Sequence, residues 1–369
     1  MPYFKFQNIK ISAISAAVPK GEIKSDEYAE RFGEEYVAKF KDGTGVLAAH
    51  KTREYQTASD LAYAAAEDLL HKKQINREEI GALIFCTSSP DYRRPASACV
   101  LHKRLGLSKN CTAYDINLTC SAFVFGLTSI CSLMQSSDIN KALLLLGETS
   151  SKMANPQDKS IVMLFGDGGA ALLLEKTDES NVIHSILKTD GTGYQQIIAP
   201  GGGFRNLNPS KHEFEFEDGN IRSMYNVYMQ GENVFSFTIS EVPRTVKEFL
   251  AKTETSVDGY DCFAFHQANR FILQMIAKKL KVDFGRFPLC LDRYGNTSGP
   301  SVPITICDHY GKDGSNQEVN ILMSSFGVGL SWGVCSAVVN VNDIYPIIET
   351  DEIFKEGIIN SPDDFLREE

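Results

Sequence analysis

The chain has 369 residues, 43% of them hydrophobic, and its 37 Lys and Arg against 47 Asp and Glu give a formal net charge of −10. This composition excludes a wholly disordered or collagen-like chain. The acidic balance argues against nucleic acid as a partner, because phosphate binding needs clustered Lys and Arg.

Membrane and secretory signals are also missing from the sequence. No apolar run approaches the roughly 18 to 20 residues of a membrane span, and the N-terminal MPYFKFQNIK lacks the apolar core of a signal peptide. The nine cysteines are an odd number without C-x-x-C spacing, which argues against a disulfide framework and against structural zinc. We therefore expect a soluble, cytoplasmic protein with free thiols, no membrane partner and no metal.

The first half of the chain alternates strand and helix patterns. Apolar residues at helical spacing predict helices over 59–73 and 121–136, and continuous apolar runs predict strands within 81–89, 141–150 and 169–175. Continuous apolar strands are typical of sheets buried on both faces, so the pattern indicates an α/β fold.

After a polar stretch over 189–220 the alternation restarts. Here the sequence predicts a helix over 232–252, a strand over 262–265, a helix over 269–282, and closing strands over 319–327 and 332–341. We predict two similar α/β halves, 1–175 and 176–345, followed by an acidic extension over 346–369 to which we assign no chemistry. Gly201 to Gly203 is predicted to be an ordinary loop, because no Lys-Ser or Lys-Thr pair follows it.

Three reactive or polar side chains lie where a strand or loop pattern changes into a helix pattern. Cys120 follows DINLT, His266 follows CFAF, and Asn296 lies in YGNTSGPSVP. A thiol at a helix N-terminus meets unpaired N–H groups that favour the thiolate and can stabilise an oxyanion. Each residue alone could be structural, as a packed cysteine, a core histidine or a turn asparagine. Together they indicate a site, because ligands bind at such ends of open α/β sheets.

Six motifs in order carry a resemblance to a known family. They are the cysteine segment DINLTCSAFVFGL, LFGDGGAALLLE at 164–175, MQGENVFSF at 229–237, HQAN at 266–269, YGNTSGPSVP at 294–303 and SFGVGLSWG at 325–333. Over about residues 1–342 the chain resembles the β-ketoacyl-[acyl carrier protein] synthase III family of thiolase-like condensing enzymes. The resemblance implies a five-layered αβαβα fold and a homodimer. The FGDGGA motif itself is typical of a tight turn between elements, so we expect Asp167 to be structural and not a metal ligand.

The resemblance also implies a decarboxylative Claisen condensation without a cofactor. Cys120 would take an acyl group from acyl-CoA or an acyl carrier protein. His266 and Asn296 would hydrogen-bond the thioester carbonyl of malonyl-[acyl carrier protein] as CO2 leaves, giving a 3-oxoacyl thioester. The remaining predicted roles are an oxyanion hole made by N–H groups of Cys120 and of the turn Gly327, Val328 and Gly329, and a pocket wall made by Phe326.

Three segments depart from the family pattern. The Trp and Arg that often precede the T-G-I motif are missing before Thr44. Arg270 follows HQAN directly, and Phe271 stands where the family often has Arg. Arg270 is therefore our candidate contact for the carrier protein. The acyl donor, either CoA or a carrier protein thioester, stays open. Arg94 stands where an aromatic residue commonly reaches across the dimer into the acyl pocket. We therefore place Arg94 at that pocket and expect a short or polar acyl group, or a specialised pathway rather than housekeeping fatty acid initiation.

Other members of the superfamily fit the residues less well. A carboxylate beside the histidine would suit 3-hydroxy-3-methylglutaryl-CoA synthases, but Asn296 stands there. A second cysteine would suit thiolases, but Phe326 and Gly327 occupy the matching motif. Two alternatives stay open: an acyltransferase that passes the acyl group from Cys120 to an alcohol or amine, and a non-catalytic partner subunit.

Overall fold

The computed structural model describes residues 2–366, so residues 367–369 of the predicted extension lie outside the described residues. The strands are β1 (Tyr3–Gln7), β2 (Ile9–Pro19), β3 (Glu22–Lys24), β4 (Ala48–His50), β5 (Ile80–Cys86), β6 (Thr112–Ile116), β7 (Lys141–Glu148), β8 (Gly168–Lys176), β9 (Val182–Thr189), β10 (Ile197–Ile198), β11 (Phe214–Glu215), β12 (Ile221–Arg222), β13 (Tyr228–Met229), β14 (Cys262–Phe265), β15 (Glu318–Gly327), β16 (Ser331–Asn340) and β17 (Ile348–Thr350). The α-helices are α1 (Ala29–Phe32), α2 (Glu34–Thr44), α3 (Ala58–Lys73), α4 (Ser97–Arg104), α5 (Ala122–Gln135), α6 (Gly231–Thr253), α7 (Arg270–Leu280), α8 (Leu291–Tyr294) and α9 (Ser301–Tyr310).

Two sheets and three helical layers make up the body of the molecule. One sheet has six strands in the order β17-β2-β8-β7-β5-β6, and the other has five in the order β1-β9-β16-β15-β14. Helices α5 and α9 contact both sheets, whereas α3 and α4 cover the outside of the first sheet. Helix α6 covers the outside of the second sheet, and α7 packs beside α6 into the same core. The order of layers is αβαβα, which confirms the predicted fold class.

The leucine run of β7 shows why these strands are apolar on both faces. Leu144 and Leu146 pack into the core between the two sheets, which also contains residues of α5 and α9. Leu143 and Leu145 point the other way, into the core beneath α3. Because successive strand residues face opposite sides, a strand between two helical layers needs an apolar residue at every position.

Most of the predicted elements agree with the structure, and β14 has the predicted bounds. The ends of the chain differ, because each belongs to the sheet of the other half. Strand β1 pairs with β9 in the five-stranded sheet, and β17, in the extension where no strand was predicted, pairs with β2 in the six-stranded sheet. The division at 175 and 176 stays a prediction. Gly201 to Gly203 lie in bends, as predicted for a loop.

The polar middle of the chain is anchored by a buried cation. Arg222 is 1% exposed, and its guanidinium pairs with Asp158 and with Asp218 at 2.8 Å. Nearby, the N–H of Val227 donates to the carbonyl of Met153 at 3.1 Å. These contacts fix the polar stretch against the wall of the cavity described next.

The cysteines of the chain are free thiols, as the sequence predicts. The nine cysteines are all unpaired, and eight of them are buried, the exception being Cys99. Within residues 2–366, none of the helices combines the length and the apolar character that crossing a membrane requires.

Candidate active site

A largely apolar cavity of about 160 Å³ brings the three predicted residues together. Cys120, His266 and Asn296 all line it, although they come from three separate segments of the chain. The apolar part of the lining, which we call the chamber wall, consists of Met153, Leu164, Phe165, Ile197, Val227, Met229, Val234, Phe235, Ile272 and Phe326. Polar residues are the minority of the lining, as is usual for a small-molecule site.

Cys120 lies between the end of β6 and the first residue of α5, Ala122. The end of β15 closes over it: a Cβ at Gly327 would lie 2.6 Å from the Cys120 Cβ and 3.1 Å from its sulfur. The φ of Gly327 is +158°. Glycine at this position therefore lets the strand end approach the sulfur more closely than any side chain would allow.

The surroundings of the Cys120 sulfur disfavour its ionisation. Cys120 is 8% exposed, and burial raises the pKa of its thiol. Hydrogen bonds from the Ser298 hydroxyl, at 3.4 Å, and from the N–H groups of Val328 and Cys120 itself lower the pKa but do not cancel this effect. Burial therefore favours the neutral thiol, and the surrounding donors can stabilise charge on the sulfur once it develops.

His266 follows β14 directly, and its backbone N–H continues the sheet by donating to the carbonyl of Ser324 at 2.8 Å. The ring Nδ1 lies 2.7 Å from the hydroxyl of Ser301, and the ring meets Phe326 edge-on at 5.3 Å between centroids. Burial lowers the pKa of His266 to about 4, so the imidazole is neutral near pH 7. Either group of this pair can donate; when the Ser301 hydroxyl donates to Nδ1, the imidazole proton is on Nε2.

Asn296 is held by its backbone on both sides. Its N–H donates to the carbonyl of Leu164 at 2.8 Å, and its carbonyl accepts from the N–H of Gly166 at 3.1 Å. The side-chain Oδ1 accepts from the N–H of Ser298 at 2.9 Å. Because the oxygen of the amide is occupied, its Nδ2 is the group left to donate to a ligand in the cavity.

The other predicted site residues are distributed unevenly. Phe326, Gly327 and Val328 line the cavity, whereas Gly329 lies just beyond it. Two arginines are not among the lining residues. Arg94 is exposed on the surface of its own chain, so its predicted place in an acyl pocket depends on a second subunit and stays a prediction. Arg270 packs against Gly45, where an added Cβ would lie 2.9 Å from the arginine Nε.

Asp167 has the structural role predicted for it. Its carboxylate accepts from the N–H and hydroxyl of Thr52 at 2.8 and 2.7 Å, and from the N–H and hydroxyl of Ser151 at 3.0 and 2.6 Å. These bonds tie the loop after β4 to the loop after β7. Across the described part of the chain, no group of three His, Cys, Asp or Glu residues is arranged to hold a metal ion.

Sequence reasoning missed three polar residues near the cysteine: Ser298, Ser301 and Glu148. Glu148 is fully buried, and its carboxyl accepts from the Ser88 N–H at 2.7 Å and from the Ser89 hydroxyl at 3.0 Å. Burial raises the pKa of Glu148 to about 8. The two serines lie inside a motif that the sequence singled out, but their contacts depend on folding. A glutamate that ends a leucine-rich strand looks like a surface residue in the sequence.

Comparisons with known proteins find relatives that match most of the chain. The family model of 3-oxoacyl-[acyl-carrier-protein] synthase III matches residues 114–191, and the model of its C-terminal part matches residues 250–339. A β-ketoacyl-[acyl-carrier-protein] synthase III of Streptococcus suis is 34% identical over 328 residues, 88% of this chain and 97% of the relative. One of Clostridium perfringens is 31% identical over 328 residues, 89% of this chain and 98% of the relative.

Solved structures give the same result. A crystal structure of a 3-oxoacyl-(acyl-carrier protein) synthase from Burkholderia xenovorans superimposes with a TM-score of 0.90 at 34% identity, covering 95% of this chain and 99% of that one. The five layers and the buried cysteine chamber define a thiolase-like condensing enzyme. Within that class, the chain belongs to the β-ketoacyl-[acyl-carrier-protein] synthase III family, which confirms the resemblance noted in the sequence.

Proposed function

We propose that this protein joins an acyl group from a thioester to the malonyl group of malonyl-[acyl carrier protein], releasing CO2 and giving 3-oxoacyl-[acyl carrier protein]. The observation that carries the proposal is the convergence of Cys120, His266 and Asn296 on one apolar chamber in a chain of this family. An apolar wall suits an acyl chain, and the few polar groups suit the thioester.

In the first half-reaction Cys120 is the nucleophile. Its sulfur forms a bond to the acyl carbonyl carbon, the bond from that carbon to the donor sulfur breaks, and the donor thiol leaves with the proton that Cys120 gave up. The N–H groups of Cys120 and Val328 lie near the sulfur and are suited to receive the oxyanion. Gly327 leaves the space that this tetrahedral centre needs.

In the second half-reaction His266 and Asn296 act as neutral donors. The Nε2–H of His266 and the Nδ2 of Asn296 bind the malonyl thioester oxygen while the bond to the carboxylate carbon breaks, leaving an enolate and CO2. The enolate carbon then attacks the acyl-Cys120 carbonyl, and the sulfur departs as the new carbon–carbon bond forms. The low pKa of His266 keeps the imidazole neutral, as a hydrogen-bond donor to the enolate requires.

A homodimer is part of the proposal. Strand β6 is an edge of the six-stranded sheet, and an open edge favours pairing with a second copy. The segment carrying Arg94 is tied to β6, because the N–H groups of Ser97 and Ala98 donate to Asp115 at 2.7 Å each. In such a dimer Arg94 would face the partner's acyl pocket. Light scattering tests the dimer, and an unchanged acyl preference in Arg94→Phe would count against the pocket role.

The carrier contact and the compartment complete the proposal. Arg270 begins α7, next to the cavity-lining Asn269, where a basic side chain suits an acidic carrier protein. We place the protein in the cytoplasm, in keeping with its unpaired cysteines. The acyl donor is an acyl-CoA or an acyl carrier protein thioester.

Intact-protein mass spectrometry tests the reaction. The enzyme is mixed with short, branched and polar acyl thioesters, with Cys120→Ala as the matched control, and malonyl-[acyl carrier protein] is then added. We expect an acyl adduct on the wild type alone, and release of CO2 with 3-oxoacyl product on addition of the malonyl carrier. An adduct without CO2 release would favour acyl transfer to another nucleophile. Absence of any adduct would overturn the acyl-enzyme.

A further inference from the structure

The hydroxyl of Ser298 is in contact with the Cys120 sulfur. Its Oγ lies 3.4 Å from the Cys120 Sγ, and the residue is 1% exposed. In the described part of the chain, the sulfur is the hydrogen-bond partner of this hydroxyl. The roles described above for the residues of the site do not require a hydroxyl at this position.

The backbone of Ser298 is held in a conformation that serine rarely adopts. Its φ is +59°, in the left-handed region that is unfavourable for residues other than glycine. Its N–H donates to the Asn296 Oδ1 at 2.9 Å, and its carbonyl accepts from the N–H of Ser301, the first residue of α9, at 3.2 Å. A glycine would adopt this conformation without cost, so what the serine adds is the hydroxyl directed at the sulfur.

The direction of the hydrogen bond depends on the charge of the sulfur. While Cys120 is a neutral thiol, either atom of the pair can donate. Once the sulfur loses its proton it can only accept, and the hydroxyl becomes the donor in a charge-assisted hydrogen bond. Among the groups that oppose the effect of burial on the pKa of Cys120, the Ser298 hydroxyl is the strongest.

We propose that Ser298 is a further catalytic residue, whose hydroxyl stabilises the negative charge on the Cys120 sulfur as it attacks the acyl thioester. The Cys120 proton leaves, the sulfur forms its bond to the acyl carbon, and the departing donor thiolate takes up one proton. Ser298 keeps its own proton throughout. When the enolate later displaces the sulfur from the acyl group, the same hydroxyl stabilises the leaving thiolate. This inference rests on the proposed function only in that Cys120 is the nucleophile.

The test measures the sulfur directly and needs no thioester. Cys120 alkylation by iodoacetamide is followed from pH 6 to 11 by peptide mass spectrometry, which separates Cys120 from the exposed Cys99. Two variants remove the hydroxyl: Ser298→Gly, which accepts the left-handed backbone, and Ser298→Ala. The matched control is Ser301→Ala, a buried serine of the same segment whose hydroxyl faces His266 and not the sulfur.

We expect the midpoint of the Cys120 alkylation profile to rise by about one to two pH units in both Ser298 variants, since hydrogen bonds to charged groups are of that strength. Ser301→Ala should keep the wild-type midpoint. Unchanged midpoints in both Ser298 variants, or an equal rise in Ser301→Ala, would overturn the proposal. If Ser298→Ala does not fold, Ser298→Gly decides alone. Failure of wild-type Cys120 to be acylated by any thioester would instead overturn the proposed function.

Discussion

The buried carboxyl of Glu148 makes the stability of the protein depend on pH in an unusual direction. Burial raises its pKa from 4.5 to about 8, and the surrounding hydroxyl and N–H donors of Ser88 and Ser89 do not offset this. Between these two pKa values the folded chain holds a proton that the unfolded chain releases. The free energy of unfolding therefore falls as pH rises, because the carboxyl favours the folded state fully only below its unfolded pKa.

The size of the effect follows from the shift. From pH 5 to pH 8 the contribution of Glu148 to the free energy of unfolding should decrease by about 4 kcal/mol, at 1.36 kcal/mol for each pH unit. Glu148→Gln keeps the shape of the side chain and removes the titration. Chemical unfolding at pH 5 and pH 8 should therefore show the wild type losing stability relative to this variant. Glu78→Gln, at an exposed glutamate just before β5, is the control and should follow the wild type.

A result that would refute this reasoning is a parallel pH dependence of wild type and Glu148→Gln. It would mean that Glu148 ionises in the folded state as readily as in water.

Three further predictions concern stability, each measured by thermal and chemical unfolding. Asp167→Ala leaves four donors without their acceptor and should lower the free energy of unfolding by about 3 kcal/mol. An unchanged melting curve would contradict the structural role of Asp167. Arg222→Met leaves the buried Asp158 without its cation and should cost about 3 to 5 kcal/mol; a stabilised variant would contradict this. Gly169→Ala puts a Cβ 2.4 Å from the backbone of α3 and should cost about 3 kcal/mol. Gly43→Ala, in α2 with open space around it, should instead add about 0.5 to 1 kcal/mol, and equal melting of these two glycine variants would show that the close approach does not matter.

The sequence predicted the strands and helices whose pattern is local. Strand β14 has four buried residues between Asp261 and His266, and nothing beyond this segment was needed to place it. The pairing of the chain ends depends on residues far apart: Tyr3 lies opposite Ile186, and Ile348 lies opposite Ala17. No local pattern carries that information, so the exchange of edge strands between the sheets could not be predicted.

The candidate site was predictable to the same extent. Cys120, His266 and Asn296 follow strand or loop patterns, so their position at one edge could be inferred from element order alone. The left-handed backbone of Ser298 could not, because a serine gives no sign of a positive φ and its conformation is set by bonds to Asn296 and α9. The raised pKa of Cys120 was also not predicted, because it results from burial, and burial depends on how closely β15 packs over the sulfur.

Strands β1 and β17 connect the two halves of the chain, because each is an edge strand of the sheet formed mainly by the other half. A cut in the exposed turn at 178–180 would separate the polypeptide into two fragments, yet each fragment would still hold an edge strand of the sheet that belongs mainly to the other. We expect the nicked protein to stay assembled under native conditions. A chain shortened after residue 345 would lack β17, the strand that covers β2 at the edge of the six-stranded sheet.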